Sequence, residues 1–162
     1  MKTLFCIDLD GTVAHAGRRF AEAGPEPSRN DKAVYDVWVK NVQNERSLSE
    51  DEVVPGMEAL VRALISNREN EVVYLTSREE KWRSITEKWL FFNCLPKLPL
   101  VMRSNGDYIE GSSFKEGSIS FLKALYGCQQ VVVIDDDEHH ALEKKCLKNG
   151  WTMLKARSGG QL

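Results

Sequence analysis

The chain has 162 residues, 42% of them hydrophobic, with 22 Lys and Arg against 24 Asp and Glu for a net charge of −2. That length supports one domain with a proper core, and the composition excludes a disordered chain. The near balance of charge excludes an overall field drawing the protein to nucleic acid or an anionic membrane, so any polyanion must be held by local cations.

Five short runs rich in β-branched or aromatic residues, at 4–7, 72–75, 98–102, 131–134 and 151–154, have the length of buried strands. The apolar stretch before Asp8 is too short for a signal peptide and no run approaches a membrane span, so a cytoplasmic protein with no membrane partner is expected. Between the first two runs, the Gly and Pro content of residues 23–28 marks a loop, and Val34, Trp38 and Val42 at i, i+4, i+8 predict one helix over 31–42. One helix and a Pro-rich loop cannot bury a core of their own. Residues 14–54 are therefore expected to form a small lid insert within a single domain spanning 1–162, over an open site.

Pro55 is placed to open a helix carrying Met57, Leu60, Val61, Leu64 and Ile65 on one face. Trp82, Ile85, Trp89 and Phe92 form a second stripe, read as core and not as a base-stacking platform, and Ser118, Phe121, Leu122 and Leu125 a third. A fourth helix is predicted over about 137–149, stopping at Gly150. Strands alternating with helices predict an α/β fold with a doubly wound, mostly parallel sheet that binds ligands at the carboxyl ends of its strands. Cys6, Cys94, Cys128 and Cys146 form no CxxC pair and read as reduced, mostly buried side chains. His139 and His140 are adjacent, and neighbours on a helix face different directions, which argues against a shared metal site.

The polar residues at the strand ends carry the chemistry. Asp8-Leu9-Asp10-Gly11-Thr12 follows the first run, with Gly11 permitting a sharp turn. Two carboxylates so close repel one another unless a cation or a proton is held between them. Thr76-Ser77-Arg78 follows the second run, Asp135-Asp136-Asp137 follows the fourth, and Lys115 begins a helix between them. Taken singly, Thr76 can end a strand, Lys115 can be a solvated lysine, and residues 135–137 can cap a helix. Taken together at the same ends of one sheet, they form a reaction site.

In this order the residues resemble the four motifs of the haloacid dehalogenase superfamily, over residues 4–154. A closer likeness is to the 3′-phosphatase domain of bacteriophage polynucleotide kinase-phosphatases. It is carried by Leu100-Val101-Met102-Arg103, Gly106-Asp107, Lys115, Ile134-Asp135-Asp136 and Ala156-Arg157-Ser158-Gly159. The chain departs from that pattern at Gly111, where the resembling family has an acidic residue; Glu110 is adjacent. It also lacks the GxxxxGK[ST] phosphate loop of the kinase half, so no ATP-driven transfer is expected.

The resemblance implies a Mg²⁺-dependent phosphomonoester hydrolase working through an aspartyl-phosphate. Asp8 would be the nucleophile and Asp10 a general acid and base with a raised pKa, with Thr76 and Lys115 completing the catalytic set. The metal residues would be Asp8, Asp10 through its backbone carbonyl, and the pair Asp135 and Asp136, with Asp136 the direct ligand and Asp135 orienting waters or Lys115. Substrate contacts would come from Leu9 through its amide, Thr12, Arg19, Ser77, Arg78 and Arg103; for Arg78 the alternative is pairing with a carboxylate. The implied substrate is a phosphorylated nucleic acid 3′ end, held by a local basic set of Arg18, Arg19, Arg78 and Arg103. Nucleotides or other small phosphate esters are the alternative, and a non-catalytic binding module with the same fold is the rival class. No protein partner can be inferred.

Overall fold

A computed structural model of the chain describes residues 1–137 and 139–156; Arg157, Ser158 and Gly159, which carry part of the resemblance, lie outside them. β1 (Thr3–Ile7) is buried on both faces: Leu4 and Cys6 point into one core, and Ile7 with the partly buried Phe5 into the other. It pairs in parallel with β4 (Asn70–Glu79) on one side and β6 (Gln130–Asp135) on the other. β5 (Leu100–Arg103) and β7 (Thr152–Lys155) complete a five-stranded, wholly parallel sheet of order β5-β4-β1-β6-β7. All five runs read from the sequence are strands of this α/β sheet, and the first is its centre.

Helices cover both faces. Ile119 and Leu122 of α6 (Gly111–Tyr126) and Leu142 and Cys146 of α7 (Ala141–Lys148) pack in one core. Met57 and Val61 of α4 (Met57–Ser66) and Trp89 and Leu90 of α5 (Arg83–Phe92) pack in the other. α4 begins after Gly56, at φ 85°, and not at Pro55. The ends of two stripes fall off the core: Phe92, Phe121 and Leu125 are exposed, and Trp82 lies in the 3₁₀ turn Glu80–Trp82. Positive φ at Asp137 and His140 delays α7 to Ala141. Cys6, Cys128 and Cys146 are buried and Cys94 exposed, all four as free thiols.

The insert is richer than one helix. α1 (Gly17–Ala23), α2 (Lys32–Val42) and α3 (Glu45–Ser49) lie between two-residue strands β2 (Ala14–His15) and β3 (Glu52–Val53), which pair antiparallel at its base. α3 is fixed by a capping box: Ser47 N–H donates to Asn44 Oδ1 at 2.9 Å, and Asn44 N–H to Ser47 Oγ at 3.1 Å. It packs on α5, seating the insert on the main domain. No helix among the described residues is long and apolar enough to cross a membrane.

Leu4 is fully buried in the central strand. Leu4→Ala removes a core side chain with little room for collapse and is expected to lower unfolding free energy by about 3 kcal/mol, measured by urea denaturation.

Candidate active site

β1 ends at Ile7, and the Asp8 N–H donates to the Ile134 carbonyl at 2.9 Å, which holds Asp8 against the end of β6. Asp135 is the last residue of β6. From the second turn of α6, Lys115 Nζ reaches Asp8 Oδ1 at 2.8 Å and Asp135 Oδ2 at 2.6 Å. Asp136 follows, and Gly11 is required beside it for two reasons: its φ of 85° is left-handed, and a Cβ there would collide with the Asp136 carboxylate. Asp137 plays the structural part open to an acidic cluster, accepting from the Leu142 and Glu143 amides at the start of α7, at 3.1 and 2.8 Å.

Carboxylate oxygens of Asp8, Asp135 and Asp136 lie within 4.8 Å of one another. Burial pushes the Asp8 carboxyl well above the carboxylate range; Lys115 opposes this, while Asp135, Asp10 and Asp136 add to it. Burial lowers the Lys115 pKa, but Asp8 and Asp135 outweigh it and keep the ammonium charged. Three carboxyl groups supply hard oxygen donors at a spacing that fits Mg²⁺. No histidine joins the cluster among the described residues; His140 Nδ1 instead lies 2.6 Å from Glu143 Oε2.

A second ionic group surrounds Asp10 and corrects its expected pKa. Arg78 Nε donates to both Asp10 oxygens at 2.9 and 3.2 Å, and Arg19 Nη2 donates to Oδ1. Asp51, from the insert, accepts from Arg19 Nε at 3.0 Å and from Arg78 Nη2 at 3.1 Å. Burial alone would raise the Asp10 pKa; Arg78 and Arg19 overcome it and hold the carboxyl at about 2. Asp10 is therefore ionised, not poised with a proton. The same contacts explain why β4 continues through Thr76, Ser77 and Arg78 to Glu79, where the sequence placed a stop: the Arg78 side chain turns inward, and the register with β5 shifts between Leu75 and Glu79.

A cleft of about 850 Å³ lies over this end of the sheet. Asp8, Asp10, Thr76, Ser77, Arg103, Lys115, Asp135 and Asp136 line it, and Leu9, Thr12, Arg19 and Arg78 do not. Thr12 Oγ1 donates to Asp8 Oδ2 at 3.5 Å, so it steadies the nucleophile position. The Leu9 side chain belongs to the core. Arg19 and Arg78 are 1% and 0% exposed, committed to Asp10 and Asp51. Arg18 pairs at the surface with Glu50 at 2.7 Å. The expected local basic set is thus not assembled, because three of its four members have carboxylate partners and only Arg103 faces the cleft. Among the described lining residues, ten Asp or Glu stand against five Lys or Arg.

Three features escaped the sequence reading. Asp51 has no motif around it, and only the fold brings it to two arginines. Ser112 lines the cleft beside Gly111, with no partner for its buried hydroxyl among the described residues. The aromatic lining comes from Phe20, Tyr35, Trp38 and Tyr108, not from the 82–92 stripe. Tyr108 Oη donates to Asp36 at 2.8 Å and Arg29 Nη1 to the Ile109 carbonyl at 3.3 Å, joining the insert to the loop after β5.

No family model matches the chain, and no curated protein matches it. Solved structures do. The Pnkp1/Rnl/Hen1 complex contains a chain that matches 99% of this one at 16% identity and a TM-score of 0.67; the match spans 48% of that chain, about half its length. A haloacid dehalogenase-like hydrolase from Streptococcus pneumoniae matches 95% of this chain and 84% of its own, at 12% identity and a TM-score of 0.68. A haloacid dehalogenase family enzyme from Bacteroides thetaiotaomicron, in complex with magnesium and inorganic phosphate, matches 99% and 97%, at 14% identity and a TM-score of 0.58. The fold is that of the haloacid dehalogenase-like hydrolases.

Asp51→Ala would leave two buried guanidiniums sharing Asp10 alone, and is expected to cost about 3–5 kcal/mol in urea denaturation. The depressed Asp10 pKa gives a pH signature. Its folded value of about 2 lies below the ordinary 3.8, so its stabilisation is complete above the latter and lost as pH falls toward the former. The stability gap between wild type and Asp10→Asn, measured in chelator, should therefore narrow between about pH 4 and about pH 2.

Proposed function

We propose that this chain, built on the haloacid dehalogenase-like hydrolase fold, is a phosphomonoester hydrolase that works through a phosphorylated Asp8. The observation that carries this reading is the Lys115 ammonium held between Asp8 and Asp135, with the Asp136 carboxylate alongside, at the carboxyl ends of two adjacent strands. Asp8, Asp136 and the Asp10 carbonyl would hold Mg²⁺, with Asp135 fixing Lys115. The bound cation would neutralise and orient the phosphate dianion, whose charge otherwise repels nucleophiles. The magnesium and phosphate in the Bacteroides thetaiotaomicron enzyme support the same chemistry here.

An Asp8 oxygen attacks phosphorus in line, the ester P–O bond breaks, and the leaving oxygen takes up a proton. Water then attacks the phosphorus, the P–O bond to Asp8 breaks, and inorganic phosphate leaves with the carboxylate restored. Lys115 balances the charge of the phosphoryl oxygens, and Thr76 offers its hydroxyl from the cleft wall. Asp10 lines the cleft as the carboxylate nearest in role to a base for the attacking water, but two guanidiniums weaken it as a base. To donate to the leaving group its carboxyl must first swing away from Arg19 and Arg78 and take up a proton from solvent. The substrate is a phosphorylated nucleoside, free or at a polynucleotide 3′ end. The likeness to a chain of the Pnkp1/Rnl/Hen1 RNA repair complex supports a nucleic acid substrate, while the acidic lining of the cleft opposes a long polyanion.

Asp8→Asn, or chelation of Mg²⁺ from the wild type, is expected to abolish turnover of an aryl phosphate while the circular dichroism spectrum stays native. Beryllofluoride with Mg²⁺ should raise the melting temperature of the wild type and not of Asp8→Asn, since a ligand bound only to the native state stabilises it. Substantial turnover by Asp8→Asn overturns the assignment.

A further inference from the structure

Arg103 stands apart from every other buried cation of the fold. It is 6% exposed, lines the cleft, and takes part in no ion pair among the described residues; its Nε has no hydrogen-bond partner. Its one specific contact is with a ring, the guanidinium lying 5.6 Å from the Phe114 centroid. Burial lowers its pKa and Arg29 adds to this, while Tyr35, Asp107 and Glu79 oppose it without bonding to it. The nearby carboxylates are engaged elsewhere: Glu79 with Lys81 at 2.9 Å and the Gly106 amide at 3.2 Å, and Asp107 with the Ile109 amide at 2.9 Å.

The space in front of Arg103 is shaped by what Gly111 lacks. A Cβ on Gly111 would lie 3.1 Å from Ser77 Oγ and 3.3 Å from Arg103 Nη2, so the missing side chain keeps open a notch between a hydroxyl and a guanidinium. Ser112 Oγ, buried and without a partner among the described residues, lines the same cleft. Gly111 and Ser112 head the 16-residue helix α6; the Ser113 and Phe114 amides donate to the Glu110 carbonyl, which leaves the Gly111 and Ser112 amides outside the helix's own bonding, and such a terminus favours an anion. An unpaired guanidinium, an unpaired hydroxyl and a helix N-terminus all offer donors and no acceptor charge.

The geometry points to a second anion subsite at Arg103, Ser77, Ser112 and the α6 N-terminus, which takes a second phosphate of the substrate, one that is not hydrolysed. This deepens the phosphomonoesterase reading and rests on it for the first phosphate. The reacting group belongs to Asp8 and Lys115; the notch at Gly111 lies one helical turn, about 5.4 Å, further toward the α6 N-terminus than Lys115. The second phosphate has two sources, the 5′-phosphate of a nucleoside 3′,5′-bisphosphate and the internal diester of a 3′-phosphorylated dinucleotide.

The test compares kcat/KM for a nucleoside 3′-monophosphate, a nucleoside 3′,5′-bisphosphate and a 3′-phosphorylated dinucleotide in the wild type, Arg103→Ala and Gly111→Asp. Gly111→Asp places a carboxylate in the notch against flexible side-chain ends and neutralises Arg103 without removing it. The wild type should prefer at least one doubly phosphorylated substrate over the monophosphate by roughly tenfold or more, the scale of a hydrogen-bonded charge, and the preferred substrate identifies the source. That ratio should collapse toward one in both variants, while the melting temperature of Arg103→Ala does not fall, because the residue removed is an uncompensated buried charge. A ratio unchanged in both variants, or no such preference in the wild type, overturns the subsite. Calorimetric binding of the bisphosphate to Asp8→Asn with and without Arg103→Ala separates the two readings. Arg103-dependent binding with no ester turned over by the wild type removes the hydrolase and keeps the subsite, whereas turnover with Arg103-independent binding removes the subsite alone.

Discussion

One ammonium pairs with two buried carboxylates at once, and the architecture around it follows from that arrangement. Lys115 reaches across from α6 to Asp8 and Asp135, Asp136 shares the same space, and burial penalises the Asp8 charge. Paired strands fix the spacing: β1 and β6 run in register from Thr3 with Gln130 to Ile7 with Ile134, so the residues that follow them emerge side by side. A sheet that delivers three carboxylates this close offers a set of hard oxygen donors that could hold a metal ion.

The Asp10 group solves its electrostatics in the opposite way. Arg19, Arg78, Asp10 and Asp51 form a balanced set of two cations and two anions, drawn from α1, β4, the turn after β1 and the base of the insert. Trp89 Nε1 donates to the Asp51 carbonyl at 2.7 Å and ties that set to α5. The two arginines thereby cease to be binding groups and become the joint between the insert and the sheet. Arg103, without a carboxylate, is the exception that remains available.

Much of this was legible in the sequence because it is local. The β-branched runs carried their strand identity, and Gly11 and the acidic pair at 135–136 kept their meaning because turn geometry and charge repulsion act over a few residues. What the sequence could not carry was pairing between distant side chains. Arg19 read as a substrate ligand, and Arg78 as either that or the partner of an unnamed carboxylate, because Asp51 lies 32 and 27 residues away with nothing in its own surroundings to announce it. α3 was missed for a different reason: five residues show no apolar period, and its signal is the Asn44 and Ser47 cap. The 82–92 stripe had the right period, but Trp82 falls in the 3₁₀ turn before α5 and Phe92, its last residue, is exposed.

The central position of β1 also governs how the chain reaches this state. A strand of five residues near the amino terminus cannot bury either face until β4 arrives on one side and β6 on the other, and Lys2 next to it bonds Gln129, 127 positions away. Closing loops of that size costs conformational entropy before the contacts reward it, so folding is expected to be slow for a protein of this length. During synthesis the first strand is exported long before its last partner exists. Until then its apolar side chains and backbone edges stay unpaired, and the carboxylates of the future site remain solvated and far apart.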